Sequence, residues 1–217
     1  MAKRLYFIPK RSFQGLIVEK IVDFTEVRGD KESSVVKTME NMHHVIRANE
    51  TGGKVLEVSP YGSNIGQMLT PWQLTLKTKS GVSYPVAAIY ESSKIFERGG
   101  PYEDLKDKNQ DELQKDERLT QSGDLMGYHF EEEAFTTTPR HKFFDYLYIR
   151  ALKDREDLHE ELLKADIVTD VTYQMNAMHL SPARSVSYFI SLYRENLLDK
   201  VLSSSEEFDK MYLMTFT

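Results

Sequence analysis

The sequence predicts an α+β fold: a single, mainly helical domain with a small β-sheet. Three observations lead there. Apolar residues at helical spacing recur along most of the chain and outnumber the short runs that read as strands. With 217 residues, 40% of them hydrophobic, the chain is long enough for one sizeable core and short for two. No internal repeat is present, so solenoids and propellers drop out.

Arg4 to Ile8 reads as a first strand and Gly15 to Val27 as a further one, with Ile17, Ile21 and Phe24 apolar. A loop through Asp30 ends in Ser33-Ser34, good N-cap residues. A helix is predicted from Val35 to Ala48, with Val35, Met39, Met42, Val45 and Ile46 facing inward. Lys37 falls in its first turn, off that stripe, where spacing alone predicts a solvated lysine. Gly52-Gly53 ends this unit. Val55 to Val58 reads as a short strand, Tyr61 to Leu69 as a short helix or turn, and Trp72 to Lys77 with Val82 to Tyr84 as a hairpin.

The next stretch, residues 86 to 105, organises the rest. Read as a helix from Val86 to Glu97, it aligns Val86, Ile89 and Phe96 on an apolar stripe. Tyr90, Lys94 and Glu97 lie about 100° round, so a phenol, an amine and a carboxylate share the rim of a buried face. Gly99-Gly100-Pro101 stops the helix. That turn either leaves backbone N–H groups free for a ligand or is ordinary punctuation.

Leu105 to Leu119 is highly charged, and Leu125 to Phe130 follows the Ser122-Gly123 turn as a strand. Thr138-Pro139 predicts a helix start, with Phe143, Phe144, Leu147, Tyr148, Ala151 and Leu152 as a broad apolar face. Asp145 borders that face; base rates make it the first solvated position, and the alternative is a buried functional carboxylate. Asp157 to Ala165 is a second short helix, and Ser181-Pro182 opens a last core helix through Phe189 and Leu192. Beyond Glu195 the pattern weakens into Ser203-Ser-Ser205 and a short amphipathic tail. The expected division is a domain over residues 1–195 with a C-terminal helical extension over 196–217.

Composition excludes several function classes. With no cysteine there is no disulfide framework, thiolate nucleophile or cysteine-based zinc site. No apolar run reaches membrane-span length and the start lacks signal-peptide character, so a cytoplasmic protein is expected. A net charge of −6 argues against coating nucleic-acid phosphates but leaves room for a narrow pocket with a few basic residues. P-loop, Rossmann and Gly-x-Ser-x-Gly signatures are absent. His43 and His44 are adjacent and would diverge on a helix, while His159 and His179 lack matching partners, so neither metal nor cofactor is expected.

The order of motifs carries a resemblance. It runs from Phe7-Ile-Pro9 through Leu56-Glu-Val-Ser59 to Ser93-Lys-Ile-Phe-Glu97 with Gly99-Gly-Pro-Tyr102 and Asp104-Leu105. It continues with Asp116-Glu-Arg-Leu119, Ser122-Gly123, Pro139, Phe144-Asp-Tyr-Leu-Tyr148, Ala151-Leu152, Thr169-Asp170 and Ala183-Arg-Ser185. In these runs the chain resembles the NADAR family, in the branch associated with DarT-type toxins that attach ADP-ribose to DNA. The resemblance covers roughly residues 4 to 192, and the Ser-Lys-x-Phe-Glu-x-Gly-Gly-Pro-Tyr run is its specific part. In place of the family's Gly-Phe-Ser turn and Gln-Lys-Gln-Lys-Ser-Ile run stands Arg28 to Met39, matched only at Lys37. Ser181-Pro182 replaces the family's Cys-Gln.

The resemblance implies the NADAR fold and an N-glycosidase that removes ADP-ribose from guanine bases in DNA, with the DNA single-stranded or the nucleotide flipped and ADP-ribose as product. It implies Lys37 as a Schiff-base nucleophile, Glu97 first and Asp145 second as proton-shuttling carboxylates, and substrate contacts from Lys94, Gly99, Gly100, Tyr102, Arg118 and Ser122. Such a protein would counter a DarT-type toxin in a bacterial host cell, as an antitoxin or a phage anti-defence protein. Two alternatives stand beside it: a binding protein that sequesters ADP-ribosylated nucleotide or toxin, and an N-glycosidase of riboflavin-pathway intermediates.

Overall fold

The computed structural model describes residues 1–10, 15–29, 31–173 and 180–215. Asp30 and His179, named above, lie outside them. The chain begins with β1 (Ala2–Pro9), β2 (Ile17–Phe24), α1 (Glu32–Asn49), β3 (Val55–Glu57) and α2 (Asn64–Met68). The hairpin β4 (Thr75–Lys77) and β5 (Ser83–Pro85) leads into α3 (Val86–Ser92) and β6 (Lys94–Phe96). A 3₁₀ turn at Glu103–Asp107, α4 (Gln110–Gln114) and α5 (Arg118–Gln121) precede β7 (Leu125–Phe130) and β8 (Glu133–Phe135). The rest is α6 (Lys142–Lys153), α7 (Glu156–Leu162), β9 (Ile167–Thr169), α8 (Pro182–Arg194), α9 (Leu198–Val201) and α10 (Ser205–Thr215).

The largest sheet has the order β2-β1-β9-β3, antiparallel except for the parallel β3–β9 pair. Successive side chains of a strand point to opposite faces, and here both faces are covered. Tyr6 and Ile167 pack with Met42 and Ile46 of α1 on one face; their neighbours Phe7 and Val168 join the main core on the other. The inward residues predicted for the first helix thus hold. That helix starts earlier than expected, after Lys31, so Ser33 and Ser34 lie in its first turn and do not cap it.

The main core is built on α6 and α8. Every residue from Lys142 to Ile149 is buried, as is every residue from Pro182 to Leu192. Tyr148, Phe189 and Leu147 are among the least exposed, each worth roughly 1.5–3 kcal/mol of apolar burial. A helix buried all round has no solvated side. Asp145 is therefore fully buried, against the expectation of a solvated position. The described residues beyond 195 join this core: Val201, Phe208, Met211 and Tyr212 pack in it, and Lys142 binds Asp209 at 2.8 Å.

Two further helix limits near the site differ from those expected. α3 ends at Ser92, five residues before Glu97, where the Ile89 carbonyl accepts the Ser93 N–H at 3.0 Å together with the Ser92 and Ser93 hydroxyls. Lys94-Ile-Phe96 then pairs with β7 as a strand. Likewise α6 starts at Lys142, not Pro139: Pro139 lies in a preceding turn whose carbonyl accepts the Lys142 N–H at 3.0 Å. Ser181-Pro182 does open α8, although the Ser181 hydroxyl caps nothing.

Candidate active site

The segment that runs from Val58 through α2 to Gln73, together with α3, α4, α5 and the segment after β9, lines a cleft of about 1490 Å³. Among the described residues its charged lining is Glu91, Lys94, Asp116 and Asp170. Trp72, the one tryptophan of the sequence, and Tyr90 and Tyr173 supply aromatic wall. Lys94 donates to Glu91 Oε2 at 2.7 Å and stands 5.0 Å from the centre of the Tyr90 ring. Tyr90 in turn shares a 2.8 Å hydrogen bond with Tyr128 and packs edge-on against Phe144. Burial, with the neighbouring Tyr128 adding, pushes the Tyr90 phenol far above its usual range, so it stays neutral. The predicted meeting of Tyr90 and Lys94 is real, but it comes from a helix end followed by a strand start. Glu97 is not part of it.

Asp170 follows directly after β9 and is 4% exposed. Its Oδ1 accepts the Thr172 N–H at 2.9 Å, the Thr172 hydroxyl at 2.5 Å and the Tyr173 N–H at 3.2 Å. Burial drives its carboxyl up to about 7; the Thr172 hydroxyl opposes this and the charge of Glu57 adds to it. Glu57 is held from three sides: Thr169 Oγ1 at 2.7 Å, the Val171 N–H at 2.7 Å and His43 Nε2 at 3.0 Å. The matched runs Leu56-Glu-Val-Ser59 and Thr169-Asp170 thus meet across the β3–β9 pair.

The sequence-predicted site residues fall into groups. Tyr102, Arg118 and Ser122 come together, but as one another's partners. The Tyr102 hydroxyl is 2.6 Å from Ser122 Oγ, and its ring lies under the Arg118 guanidinium at 4.8 Å. Arg118 forks onto both oxygens of Asp104 and also binds Asp116. Arg118 first and Lys108 second hold the Asp116 carboxyl well below its ordinary range. Asp116 links this cluster to the cleft wall; Arg118, Tyr102, Gly99 and Ser122 do not line the cleft. A Cβ on Gly99 would lie 2.2 Å from the Tyr102 hydroxyl, and one on Gly100 2.2 Å from the Lys94 carbonyl oxygen. What approaches both glycines is the chain itself.

Glu97 is exposed and accepts the Asp124 N–H at 3.3 Å, beside the Gly123 turn. Asp145 binds Arg184 Nη1, Ser185 Oγ at 2.6 Å and the Tyr212 hydroxyl at 2.7 Å, so the matched Phe144-Asp145 and Ala183-Arg-Ser185 runs meet inside the core. Lys37 is exposed on α1. Its neighbours Val35 and Thr38 line a side pocket of about 210 Å³ that shares Thr172 with the cleft. The sequence reading gave no role to Asp170, Glu91 or Trp72. Asp170 stood in a matched run, which was the available signal; for Glu91 and Trp72 there was none beyond proximity to Lys94 and to the hairpin.

Among the described residues no helix is long and apolar enough to cross a membrane. No protein of curated function matches the chain. A family model described as DarT1-associated NADAR antitoxin matches residues 2–216, and the chain belongs to that family, the NADAR-DarT1 antitoxins.

Proposed function

We propose that the chain is an N-glycosidase that releases ADP-ribose from guanine bases in DNA and so reverses the modification made by a DarT-type toxin. The observation that carries this reading is the cleft, in a chain of an antitoxin family tied to that toxin. At about 1490 Å³ it exceeds the roughly 300–1,000 Å³ of ordinary small-ligand pockets. An ADP-ribose with its base attached is a ligand of that larger class. Among the described residues its lining holds three carboxyl groups and one lysine, with no array of cations to track a duplex backbone, so its reach is to a single extruded nucleotide. Trp72 and Tyr173 are the faces on which a base stacks, and the Lys94–Glu91 pair lines the same cleft.

The covalent step is assigned to Lys37. The amine of Lys94 is committed to Glu91, whereas Lys37 makes no hydrogen bond or ion pair among the described residues and belongs to the helix whose Val35 and Thr38 line the side pocket. A free amine adds to the anomeric carbon of the opened ribose, the guanine nitrogen departs with the electron pair of its bond to that carbon and takes up a proton, and water hydrolyses the resulting imine to return the amine and ADP-ribose. The test is release of ADP-ribose from a guanine-modified single-stranded oligonucleotide, followed by mass spectrometry. Wild type is expected to release it. Lys37→Ala and Lys37→Arg should each lose at least about a hundredfold with stability changed by only a few tenths of a kcal/mol, and borohydride should trap an adduct on wild type only. Full activity of Lys37→Arg would remove the imine, and tight binding without release by wild type would favour the sequestering protein.

A further inference from the structure

One buried carboxyl in the cleft wall is left unused by this scheme. Three donors converge on Oδ1 of Asp170 and fix the side chain, while no hydrogen bond from the described residues reaches Oδ2. Nor does any cation among the described residues pair with it. Asp170 nevertheless lines the cleft, so the oxygen left over is the one available to a bound ligand. Behind it, Glu57 of β3 is anchored by three contacts and brings a second negative charge close. The other polar groups nearby are His43 of α1, which contacts Glu57, Tyr148 of α6, whose hydroxyl is donated to the Leu69 carbonyl at 3.0 Å, and Tyr173. This is a carboxyl held rigid on one oxygen and open on the other.

We infer that Asp170 delivers the proton to the leaving guanine nitrogen as the glycosidic bond breaks, an inference that rests on the N-glycosidase reading above. The bond between the anomeric carbon and nitrogen breaks with its electron pair going to nitrogen, and the proton on Asp170 Oδ2 moves to that nitrogen. The water whose oxygen ends on the anomeric carbon gives a proton back to the carboxylate. The sum is hydrolysis to free ADP-ribose and unmodified guanine. A guanine amine is a poor leaving group unless protonated, which is the task of a general acid whose carboxyl still holds its proton near neutrality. Burial, with Glu57 adding, provides that condition by raising Asp170 to about 7.

The experiment measures kcat/KM across neutrality for wild type and Asp170→Asn. It uses the guanine-modified oligonucleotide and a p-nitrophenyl ether of ADP-ribose, whose leaving group departs as a stable anion. On the guanine substrate, wild type should lose activity as the pH rises past about 7. Asp170→Asn should be slower there by about 10²–10⁴-fold and should lack that alkaline limb. On the aryl ether, the variant should stay within about fivefold of wild type. Equal losses on both substrates, or an alkaline limb unchanged in the variant, would overturn the inference. If Asp170→Asn does not fold, the wild-type profile decides: a rate on the guanine substrate that does not fall above neutrality overturns it. An inactive wild type that still binds ADP-ribose sinks the N-glycosidase reading itself, whereas an active wild type with an indifferent Asp170→Asn sinks only the role of Asp170.

Discussion

Asp145 and Asp170 are both buried aspartates in matched runs, yet their surroundings are opposite. Asp145 sits between α6 and α8, neutralised by Arg184 and bonded by Ser185 and Tyr212. Asp170 has backbone and hydroxyl donors on one oxygen, a like charge behind it, and a cleft in front. A buried carboxylate with a cation and full hydrogen bonding is a structural tie, and removing one side leaves the other uncompensated. A buried carboxyl without a cation holds its proton instead and costs stability wherever it must ionise. The contrast separates a residue that holds the core from one available for chemistry, although the sequence presents both as an aspartate among apolar neighbours.

The largest effect expected from this contrast is on stability. Asp145→Ala removes the fully buried partner of Arg184, leaving the half-exposed Glu19 as its counter-charge, and should lower the unfolding free energy by roughly 3–5 kcal/mol, measured by denaturant titration. A loss of only a few tenths would show that the Arg184 pair is not the tie described here. Asp170→Asn should move the other way. The folded carboxyl holds its proton up to about pH 7 against an ordinary value of 3.8, so the folded state binds more protons than the unfolded one between those limits. This contribution to stability is full below the unfolded value and is lost as pH rises through the window. The variant, which cannot ionise, should match wild type near pH 4 and exceed it above neutrality by an amount on the order of a few kcal/mol. A wild type whose stability relative to the variant does not change with pH would place Asp170 in a solvated environment.

A smaller effect is expected at Gly100, which has φ of 91° and lies against the Lys94 carbonyl. Gly100→Val should cost roughly 1–3 kcal/mol of stability by pushing the glycine turn away from the start of β6. If the variant keeps its full melting temperature and loses only ADP-ribose affinity, the turn faces a ligand, as the sequence alone allowed.

Much of the framework follows from local pattern. The strand at Leu125–Phe130, the hairpin at the fourth and fifth strands and the inward stripe of α1 come directly from periodicity and turn residues. What escapes is set by distant contacts. Asp145 looked solvated because one apolar face was counted, and the opposite side of α6 is covered by α8 and by Tyr212 from the C-terminal helix. Tyr102, Arg118 and Ser122, ligand contacts by the family resemblance, bind one another and Asp104 and Asp116 in the structure. Helical spacing brings Lys94 to Tyr90, yet the helix stops five residues before Glu97, where pairing of β6 with β7 takes over. Asp170 gains its character from the meeting of β3 and β9, which no local spacing encodes.

The central claim, that the cleft beneath Trp72 takes ADP-ribose, has a built-in reporter. Trp72 is the one tryptophan of the sequence and lines the cleft, so the intrinsic tryptophan fluorescence reports this place alone. Titration of wild type with ADP-ribose should change that emission saturably, with the same midpoint that calorimetry gives for binding. ADP-ribose that binds by calorimetry and leaves the Trp72 emission unmoved would put the site elsewhere on the molecule and contradict the account.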